Sequence, residues 1–511
     1  MSTEEDPAAP LVSLVGAGPG DPGLLTVRAV ELLAAADLVL YDQLVPRRIL
    51  DFAAPQAETV CVRELPGPHP DKFPHAFRRL VEAAAAGKRV VRLKGGEPLL
   101  FGRGGEEAES LRQAGIDFEI VPGVTAAFAA AADMDLPLTH RGKCSAVALV
   151  TGHELPTRPG TKLDWAALAK FPGTIAVYMG IARLPVIVSE LLRHGKDPAT
   201  PAAVVERAST GAMRRVSARL ADIEQARRHA GLEAPGLVFI GDSVGEAAEQ
   251  SHAERRPLFG RRVLVTRPAH QAGPMLRKLE RLGAVPSLLP AVAVRDPADF
   301  HPLDAALAKL PDGWDWVVFT SANGVERFFA RLFASGRDVR AVSRVQFAAI
   351  GPKTADALKA FHLTADVVPP AEFSSEGLVT ALREAVRGQR VLLARADRGR
   401  ELLRDELSAV ASVEQVVVYS QVDSVDPHAE PLAALRRGEV EFVTLSSSNV
   451  ARAVLAAFDE TTRQRVLRGE VKLVCISPET GRAVRTLGLP VAAEATTFTE
   501  DGLIAAVRGL A

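Results

Sequence analysis

The second half of the sequence repeats its own order of short motifs, and this repeat limits the possible folds more than any other feature. Four motifs recur after 125 to 128 residues: VLVTRP at 263–268 returns as VLLARA at 391–396, FTSAN at 319–323 as LSSSN at 445–449, IGPKT at 350–354 as ISPET at 476–480, and SSEGL at 374–378 as TEDGL at 499–503. A constant spacing over a whole unit predicts two similar units in tandem. Each motif follows an apolar run and opens a helical pattern, which is typical of α/β layers. Two such units facing each other would line a cleft with hydroxyls and helix N-termini, which suits an anionic ligand.

The first half also shows an α/β pattern, and 511 residues are too many for a single hydrophobic core. Short apolar runs alternate with helical patterns until the polar, basic stretch SHAERRPLFGRR interrupts them. The predicted strands of this half are 11–15, 38–41, 89–93, 118–121, 146–150, 174–179, 202–206 and 237–241. We expect a tail at 1–10, a first domain at 11–250, a linker at 251–261 and a second domain at 262–511.

Charge and composition exclude several classes of protein. The 61 basic and 62 acidic residues give a net charge of −1, so nucleic acid is not an expected partner. No apolar run approaches the roughly 20 residues of a membrane span, and the acidic start of the chain does not resemble a secretory signal. We therefore expect no membrane association and a cytoplasmic location. Cys61, Cys144 and Cys475 have no second cysteine or histidine at metal-ligand spacing, so no metal site is expected.

A glycine-rich turn, VGAGPGDPGLLT at 15–26, joins the first strand to the first helix. It is neither a GxGxxG dinucleotide motif, because Asp21 holds the last position, nor a phosphate-binding loop with its lysine. Alone, the turn is explained equally well by the needs of a tight strand-to-helix connection. Five further motifs accompany it: RLKGGEPLLFGRGGEEAE at 92–109, VPGVTAA at 121–127, LPLTHR at 136–141, TGH at 151–153 and YMG at 178–180.

These six motifs together resemble the uroporphyrinogen-III C-methyltransferases of the tetrapyrrole methylase superfamily over residues 11–250. The resemblance implies two α/β subdomains with S-adenosylmethionine as cofactor in the cleft between them, held mainly by backbone atoms. Met179 alone would be read as a core residue. Matched motif by motif, the residues placed against the methyl donor are Pro19, Gly95, Gly96, Glu97, Leu100, Thr125, Ala126, Met179 and Ala208.

Methylation of a pyrrole carbon requires positioning and one base, with no metal. The resemblance assigns the base to Asp42, which ends the strand at 38–41, although an Asp after a strand is also a common turn former. The substrate carries eight carboxylates, for which arginine is the preferred partner. We predict that its charge partners come from Arg92, Lys94, Arg103, His140 and Arg141, of which Arg103, His140 and Arg141 are the substrate-binding candidates; surface salt bridges are the alternative.

The sequence departs from this family at three positions. Glu64, in VCVRELP, stands where the family carries a lysine proposed as proton donor, so that role is in doubt here. Glu97 replaces the usual aspartate and Ala208 a glycine. These two changes are tolerable if the donor contacts are made by the main chain.

The order of motifs in residues 262–511 resembles uroporphyrinogen-III synthase. The resemblance implies two α/β lobes joined by a two-stranded ladder, with 262–296 and 424–511 in lobe one and 297–423 in lobe two. This family closes hydroxymethylbilane into a ring without a cofactor or metal. Tyr419 matches the proposed acid, although it could equally be an ordinary, partly buried tyrosine. The hydroxyls predicted to hold substrate carboxylates, each of which could also cap a helix, belong to Thr266, Thr320, Ser321, Ser447 and Thr480.

The sequence thus predicts an α/β tetrapyrrole methylase fold followed by a two-lobed α/β synthase fold. The predicted function is bifunctional: hydroxymethylbilane is cyclised to uroporphyrinogen III, which is methylated twice to precorrin-2. The resemblance also suggests a homodimer through the methylase half. One alternative is a methylase of another precorrin fused to a tetrapyrrole-binding module without synthase activity. A nicotinamide oxidoreductase is a poorer alternative because no GxGxxG motif is present.

Overall fold

A computed structural model describes residues 11–65, 73–153, 163–371, 373–398 and 401–511, and the tail predicted at 1–10 lies outside them. The first sheet is fully parallel with strand order β3-β2-β4-β1-β5. Its strands are β1 (Val12–Gly16), β2 (Leu38–Tyr41), β3 (Glu58–Cys61), β4 (Val90–Lys94) and β5 (Phe118–Val121). The accompanying helices are α1 (Val27–Ala35), α2 (Phe73–Ala85), α3 (Gly104–Gln113) and α4 (Ala126–Asp133), with 3-10 helices at Pro22–Leu24, Arg47–Phe52 and Val62–Glu64.

The second sheet is mixed, with order β6-β7-β10-β8-β9 and only β6 and β7 parallel. Its strands are β6 (Val147–Thr151), β7 (Thr174–Tyr178), β8 (Pro201–Glu206), β9 (Arg214–Arg219) and β10 (Gly236–Ile240). The helices are α5 (Trp165–Ala169), α6 (Leu184–Arg193) and α7 (Ile223–Ala230), with 3-10 helices at Ile181–Arg183 and Asp242–Glu246. All eight strands predicted for the first half are confirmed within one residue at each end, whereas β3 and β9 were missed.

The second half contains ten strands and eleven helices among the described residues. The strands are β11 (Arg262–Val265), β12 (Val285–Leu288), β13 (Val292–Arg295), β14 (Trp316–Phe319), β15 (Gln346–Ala349), β16 (Arg390–Ala396), β17 (Ser412–Asp423), β18 (Phe442–Leu445), β19 (Lys472–Cys475) and β20 (Ala493–Glu494). The helices are α8 (Ala269–Arg281), α9 (His301–Ala308), α10 (Ala322–Ala334), α11 (Pro352–Lys359), α12 (Ser375–Leu382), α13 (Leu402–Ser408), α14 (Glu430–Arg437), α15 (Ser448–Ala456), α16 (Glu460–Leu467), α17 (Pro478–Thr486) and α18 (Glu500–Arg508), and a 3-10 helix spans Val339–Val342.

These strands form two sheets of five strands each. One has the order β12-β11-β18-β19-β20 and is fully parallel, so the chain leaves this sheet after β12 and returns to it at β18. The other has the order β13-β17-β16-β14-β15. Because β13 pairs antiparallel with β17, residues 292–295 belong to the sheet that contains β17. The first segment of lobe one was predicted to end at 296, which is several residues too late.

The stretch predicted as a linker at 251–261 is packed against both halves. Leu258 has no exposed surface and lies in a core cluster with strands β11 and β18. Phe259, the next residue, packs on a core cluster of the first half that includes Phe239. Glu254 accepts hydrogen bonds from Arg215 of β9 at 2.9 and 2.7 Å. Two consecutive apolar side chains in this polar stretch, each packed on a different half, therefore fix it between the halves.

Candidate functional sites

The loops that follow β1, β4 and β5 come together at the carboxyl edge of the first sheet. Gly18 and Gly96 exchange backbone hydrogen bonds of 3.2 and 2.8 Å. A Cβ atom at Gly123 would lie 2.2 Å from the carbonyl oxygen of Gly96, and one at Gly16 would lie 2.5 Å from the amide nitrogen of Gly123. Only glycine allows these backbones to approach so closely. The predicted donor residues at this junction are Pro19, Gly95 and Gly96.

The carboxylate of Glu97 ties two of these loops together. Its Oε2 accepts a hydrogen bond of 2.8 Å from the Gly123 amide, and its Oε1 accepts one of 3.2 Å from the Leu99 amide. Leu100, which is partly buried, donates its amide to the Glu97 carbonyl at 3.3 Å. Glu97 therefore shapes the loop through its side chain, which explains how the position accepts a glutamate in place of the usual aspartate.

Tyr178, at the end of β7, connects the second sheet to the start of α4. Its hydroxyl lies 2.6 Å from the Thr125 hydroxyl and accepts a 3.1 Å hydrogen bond from the Ala127 amide. Its ring is 5.0 Å from the ring of Phe101. Burial raises the pKa of Tyr178, so the phenol keeps its proton near neutral pH. The sequence motif YMG was noticed, but the structural role of its tyrosine was not predicted.

Met179 and Ala208 lie on the other side of the same junction. Met179 has a φ of 53° and a side chain that is 43% exposed, which is unusual for a long apolar residue. A non-glycine residue in the left-handed region is strained, and such strain is concentrated at functional positions. Ala208 packs on an apolar core cluster that includes Ala127 and Leu237, and Ala126 and Tyr178 pack on the same cluster. These contacts link the loops that carry the nine predicted donor residues: Pro19, Gly95, Gly96, Glu97, Leu100, Thr125, Ala126, Met179 and Ala208.

Asp42 follows β2 at the same edge of the first sheet. Its amide donates to the carbonyl of Leu93 at 3.1 Å, and its Oδ1 accepts a hydrogen bond of 2.5 Å from Arg92. The side chain of Asp42 is 33% exposed. Leu44, in the same turn, would be 3.7 Å from a Cβ atom at Gly95. Arg92 therefore holds the carboxylate of Asp42 on its buried side, and its other side is exposed next to the glycine loop.

Arg92 and Lys94 were predicted as charge partners of the substrate, and the structure shows that this is wrong. Both side chains lie inside the protein, with exposures of 6% and 2%. Arg92 Nε donates to Glu107 at 3.2 Å and Lys94 Nζ donates to the same carboxylate at 2.9 Å. Burial, together with the neighbouring charge of Arg92, lowers the pKa of Lys94. Arg92 and Lys94 are two residues apart on the central strand β4, so their side chains point to the same side of the sheet, into the protein. There they support Asp42 and do not contact a ligand.

The three remaining substrate candidates of the first half are exposed, but they are not together. Arg103 has a φ of 59° and pairs with Glu106 at 2.7 Å beside the glycine loop. The turn of His140 and Arg141 closes through paired backbone bonds of 2.9 Å between His140 and Cys144. The Cys144 thiol lies 3.5 Å from Thr174, the first residue of β7, whereas the donor cleft lies at the last residue of that strand. Cys144, which closes this turn, therefore lies near the opposite end of β7 from Tyr178, and the strand between them spans roughly 13 Å.

Glu64 ends a 3-10 helix after β3, the neighbour of β2 in the first sheet. Arg63 and Glu64 are both exposed. The residue that replaces the family's lysine is thus at the same sheet edge as Asp42, with its carboxylate in solvent.

A cleft of about 840 Å³ separates the two sheets of the second half. Residues from both lobes line it, including Ser321 and Tyr419 on one side and Ser447 and Thr480 on the other. Helices α10, α12, α15 and α17 all begin here, and the hydroxyls of Ser321, Ser374, Ser447 and Ser477 cap them. Helix N-termini attract anions because their amides are unpaired and the helix dipole is positive there. Four arginines add positive charge to the lining: Arg395, Arg398, Arg452 and Arg482.

Tyr419 lies near the end of β17, where the pairing with β16 shifts register. Its hydroxyl is 3.0 Å from the Ser321 hydroxyl, which also accepts a 3.0 Å bond from the Gly324 amide. The residue is 2% exposed, so the ring is buried and only the neighbourhood of its hydroxyl meets the cleft. Thr320, which precedes Ser321, also lines the cleft.

Thr266 does not belong to this cleft. It is completely buried, and its hydroxyl donates to the carbonyl of Thr444 at 2.5 Å. The sequence repeat predicted that this hydroxyl lies with the others in the cleft, but it hydrogen-bonds to the neighbouring strand β18 instead. Thr480 is 1% exposed and its hydroxyl lies 3.2 Å from that of Ser477, the helix cap that the sequence analysis missed.

Neither a metal site nor a membrane-spanning helix is found among the described residues. Those residues contain no group of three histidine, cysteine, aspartate or glutamate side chains placed to hold a metal ion. Within the same residues, no helix is both long and apolar enough to cross a membrane.

Comparison with known proteins matches both halves to families. The family model for tetrapyrrole (corrin/porphyrin) methylases matches residues 11–224, and the one for uroporphyrinogen-III synthase HemD matches residues 274–505. The porphyrin biosynthesis protein HemD of Ruminiclostridium josui is 33% identical over 492 residues, covering 95% of this chain and 96% of that protein. The S-adenosyl-L-methionine-dependent uroporphyrinogen III methyltransferase of Methanosarcina barkeri is 46% identical, over 46% of this chain and 91% of that protein.

Among solved structures, the uroporphyrin-III C-methyl transferase of Thermus thermophilus, complexed with S-adenyl homocysteine, is similar to the first half. It is 44% identical, with a TM-score of 0.40, and the match covers 47% of this chain and 95% of that chain.

Proposed function

The chain belongs to the tetrapyrrole methylases through its first half and to the uroporphyrinogen-III synthases through its second, and on this premise we propose a bifunctional enzyme of tetrapyrrole biosynthesis. The synthase half closes hydroxymethylbilane to uroporphyrinogen III. The methylase half then transfers two methyl groups from S-adenosylmethionine, which gives precorrin-2. The observation that carries this proposal is the presence of two separate sites in one chain, one at a junction of close-packed glycine loops and the other a cleft lined by capped helix N-termini and arginines.

The residues at the first cleft fit S-adenosylmethionine. The backbones at Gly16 and Gly123 leave no room for a Cβ atom, and Gly96 has a φ of 68°, which favours glycine. The main chains of these loops are therefore bare, and their amides and carbonyls can contact a ligand directly. Thr125 uses its hydroxyl on Tyr178, so its contribution to the donor is through the main chain. When bound, S-adenosylmethionine supplies an electrophilic methyl group on its sulfonium.

Asp42 takes the proton that must leave the ring carbon after methylation. Its carboxylate is oriented by Arg92 and remains one-third exposed beside the glycine loop. A base within reach of the proton contributes about 10² to 10⁴ in rate. Arg103, at the mouth of this cleft, binds a substrate carboxylate, and the exposed His140 and Arg141 are the weaker candidates because of their distance from it.

In the synthase half, helix N-termini and hydroxyls bind the carboxylates of the linear substrate. Tyr419 donates a proton to the departing hydroxyl, and its bond to Ser321 orients the phenol. Thr320, Ser321 and Ser447 serve substrate binding together with the main chain at Thr480. The positive lining of the cleft favours a polyacid.

The proposal includes domain limits of 11–250 and 262–511, a homodimer through the methylase half and a cytoplasmic location. The three free cysteines suit a reducing compartment. Leu44, Leu99 and Phe128 of the methylase half are more than half exposed, and apolar side chains of this kind favour association. Light scattering would test the dimer, which should have about twice the 54.3 kDa mass of one chain.

Two assays test the proposal, one for each half. Hydroxymethylbilane without a methyl donor should be converted to uroporphyrinogen III, whereas a binding module without synthase activity would leave it to cyclise to the type I isomer. Uroporphyrinogen III with labelled S-adenosylmethionine should gain two methyl groups. A chain that transfers methyl groups only to a later precorrin would contradict the assignment of the methylase half.

A further inference from the structure

The two halves meet where helix α8 of the synthase half lies against the 3-10 helix Arg47–Phe52 of the methylase half. Arg48 forms an ion pair with Glu280, and both side chains are largely buried, with exposures of 24% and 19%. Burial raises the pKa of Asp51, on the same 3-10 helix, and the nearby charge of Arg277 of α8 partly offsets this rise. Arg277 and Glu280, one turn apart on α8, therefore both face the 3-10 helix. Each lies opposite a side chain of opposite charge.

Arg48 also contacts the glycine-rich turn of the donor cleft. Its second terminal nitrogen donates a hydrogen bond of 2.9 Å to the carbonyl of Gly20. Gly20 has a φ of 130° and directly follows Pro19, one of the predicted donor residues. One guanidinium thus joins a carboxylate of the synthase half to the turn that borders the donor cleft.

A second contact reaches the loop that follows Ala208, another of the predicted donor residues. A Cβ atom at Gly211 would lie 2.3 Å from the carbonyl oxygen of Gly283 and 2.4 Å from that of Ala284. Gly211 is three residues after Ala208, in a loop where Arg207 and Ser209 have positive φ values of 50° and 63°. The backbone turn that follows α8 therefore supports this loop, whose conformation is strained.

The stretch before β11 fixes the turn in place. The Leu258 amide donates to the Leu282 carbonyl at 2.9 Å, and the Gly260 amide donates to the Gly283 carbonyl at 3.3 Å. Leu258 is in the core of the synthase half and Phe259 is packed on the core of the methylase half. The contact at Gly20 and the contact at Gly211 therefore belong to one packed interface between the two halves.

We propose that the synthase half positions the methyl-donor site of the methylase half. Glu280 acts through Arg48 on the turn at Gly20, and the turn at Gly283 supports the loop after Ala208. The inference rests on the proposed function, since it assumes that the methyl donor binds between these two loops. It makes Glu280 a positioning residue for a reaction carried out by the other half of the chain.

The test is to measure binding of S-adenosylhomocysteine by calorimetry to the full chain and to its Glu280→Gln variant. Glutamine keeps the shape of the side chain but removes the charge that holds Arg48. The Kd should rise about fivefold or more, which is the usual size of coupling between linked sites. The KM for the methyl donor should rise likewise, while the KM for uroporphyrinogen III stays unchanged. Glu414→Gln, which removes an ion pair with Lys309 elsewhere in the synthase half, is the matched control and should bind as the wild type does.

A double-mutant cycle shows whether Glu280 acts through Arg48. Arg48→Ala should weaken binding by itself, and adding Glu280→Gln to it should have no further effect. Unchanged synthase turnover would show that the Glu280→Gln chain is folded. Wild-type affinity in that variant, or effects that add fully in the double variant, would overturn the inference. A wild-type chain that fails to bind S-adenosylhomocysteine would instead overturn the proposed function on which the inference rests.

Discussion

The guanidinium of Arg92 donates a hydrogen bond of 2.5 Å to the carboxylate of Asp42, and the two residues differ sharply in exposure, with 6% for the arginine side chain and 33% for the aspartate. Glu107 holds Arg92 from the other side. The interior of the first sheet therefore orients a carboxylate whose other face is open. This relationship gives Asp42 a fixed direction, which a base must have, without closing it to a substrate.

Replacing Asp42 with asparagine should reduce the kcat of methylation by about 10² to 10⁴, because asparagine cannot accept the ring proton. Binding of S-adenosylhomocysteine should be unchanged, since the side chain keeps its size. Asp37→Asn, at the opposite end of β2, is the matched control and should retain wild-type turnover. Steady-state assays with uroporphyrinogen III measure both variants, and a fully active Asp42→Asn chain would contradict the assigned role.

Replacing Arg92 with alanine should lower the free energy of unfolding by roughly 3 to 5 kcal/mol, because the buried Glu107 carboxylate loses one of its two cationic partners. Arg28→Ala provides the comparison: Arg28 also pairs with a glutamate, Glu119, but it is 49% exposed. Its loss should reduce the stability by about 0 to 1 kcal/mol. Urea titrations of the three proteins measure these values. Equal losses in the two variants would show that burial of Arg92 does not determine its contribution.

Gly123→Ala should abolish binding of the methyl donor, because its Cβ atom would lie 2.2 Å from the Gly96 carbonyl oxygen and push the loops apart. Gly105→Ala adds the same methyl group where no heavy atom lies within 4 Å, so it should bind normally. Calorimetry with S-adenosylhomocysteine distinguishes the two. Normal binding by Gly123→Ala would mean that the close backbone contact is not required.

Tyr419→Phe keeps the buried ring but removes the hydroxyl that bonds to Ser321. Synthase turnover should fall by about 10²-fold, the lower end of the range for a general acid, and more type I isomer should form. Tyr41→Phe, a buried tyrosine of the methylase half, is the control and should leave the synthase rate unchanged. If both variants convert hydroxymethylbilane equally well, Tyr419 is only a packing residue.

The stability of the chain should depend on Cys475 at alkaline pH. Burial raises the pKa of this thiol to about 12 from an ordinary value of 9.0. The folded chain keeps the proton where the unfolded chain has lost it, so the stabilising contribution is complete below pH 9.0 and falls as the pH rises towards 12. Between pH 8 and pH 10 the free energy of unfolding should fall by about 1.4 kcal/mol more in the wild type than in Cys475→Ala. Urea titrations at both values check this, and equal losses would contradict it.

The sequence was most informative where strands are central and apolar. The eight predicted strands of the first half are within one residue of those observed, because each is a short apolar run between turn signals. The missed strands are at sheet edges: β9, RRVSAR, carries three arginines, and β3 is largely exposed. Charged residues protect an edge from unwanted pairing, and they also remove the apolar signal on which the prediction depends.

Site residues were predictable where the backbone makes the contact and less so where a side chain has two possible directions. The glycine motifs identified the loops that meet after β1, β4 and β5, because only glycine permits that close packing. Arg92, Lys94 and Thr266 were misjudged because a single sequence does not show which side of a strand faces a ligand. The pairing of Tyr178 with Thr125 depends on a tertiary contact between distant segments. Ser477, in contrast, caps its own helix through Thr480, a local contact that the serine before Pro478 could have indicated.

The most direct test of the bifunctional assignment is one incubation of the purified chain with hydroxymethylbilane and labelled S-adenosylmethionine, followed by mass analysis of the products. We expect a tetrapyrrole of the type III isomer that carries two added methyl groups. Recovery of the type I isomer would contradict the activity assigned to the synthase half, and recovery of unmethylated type III isomer would contradict the activity assigned to the methylase half.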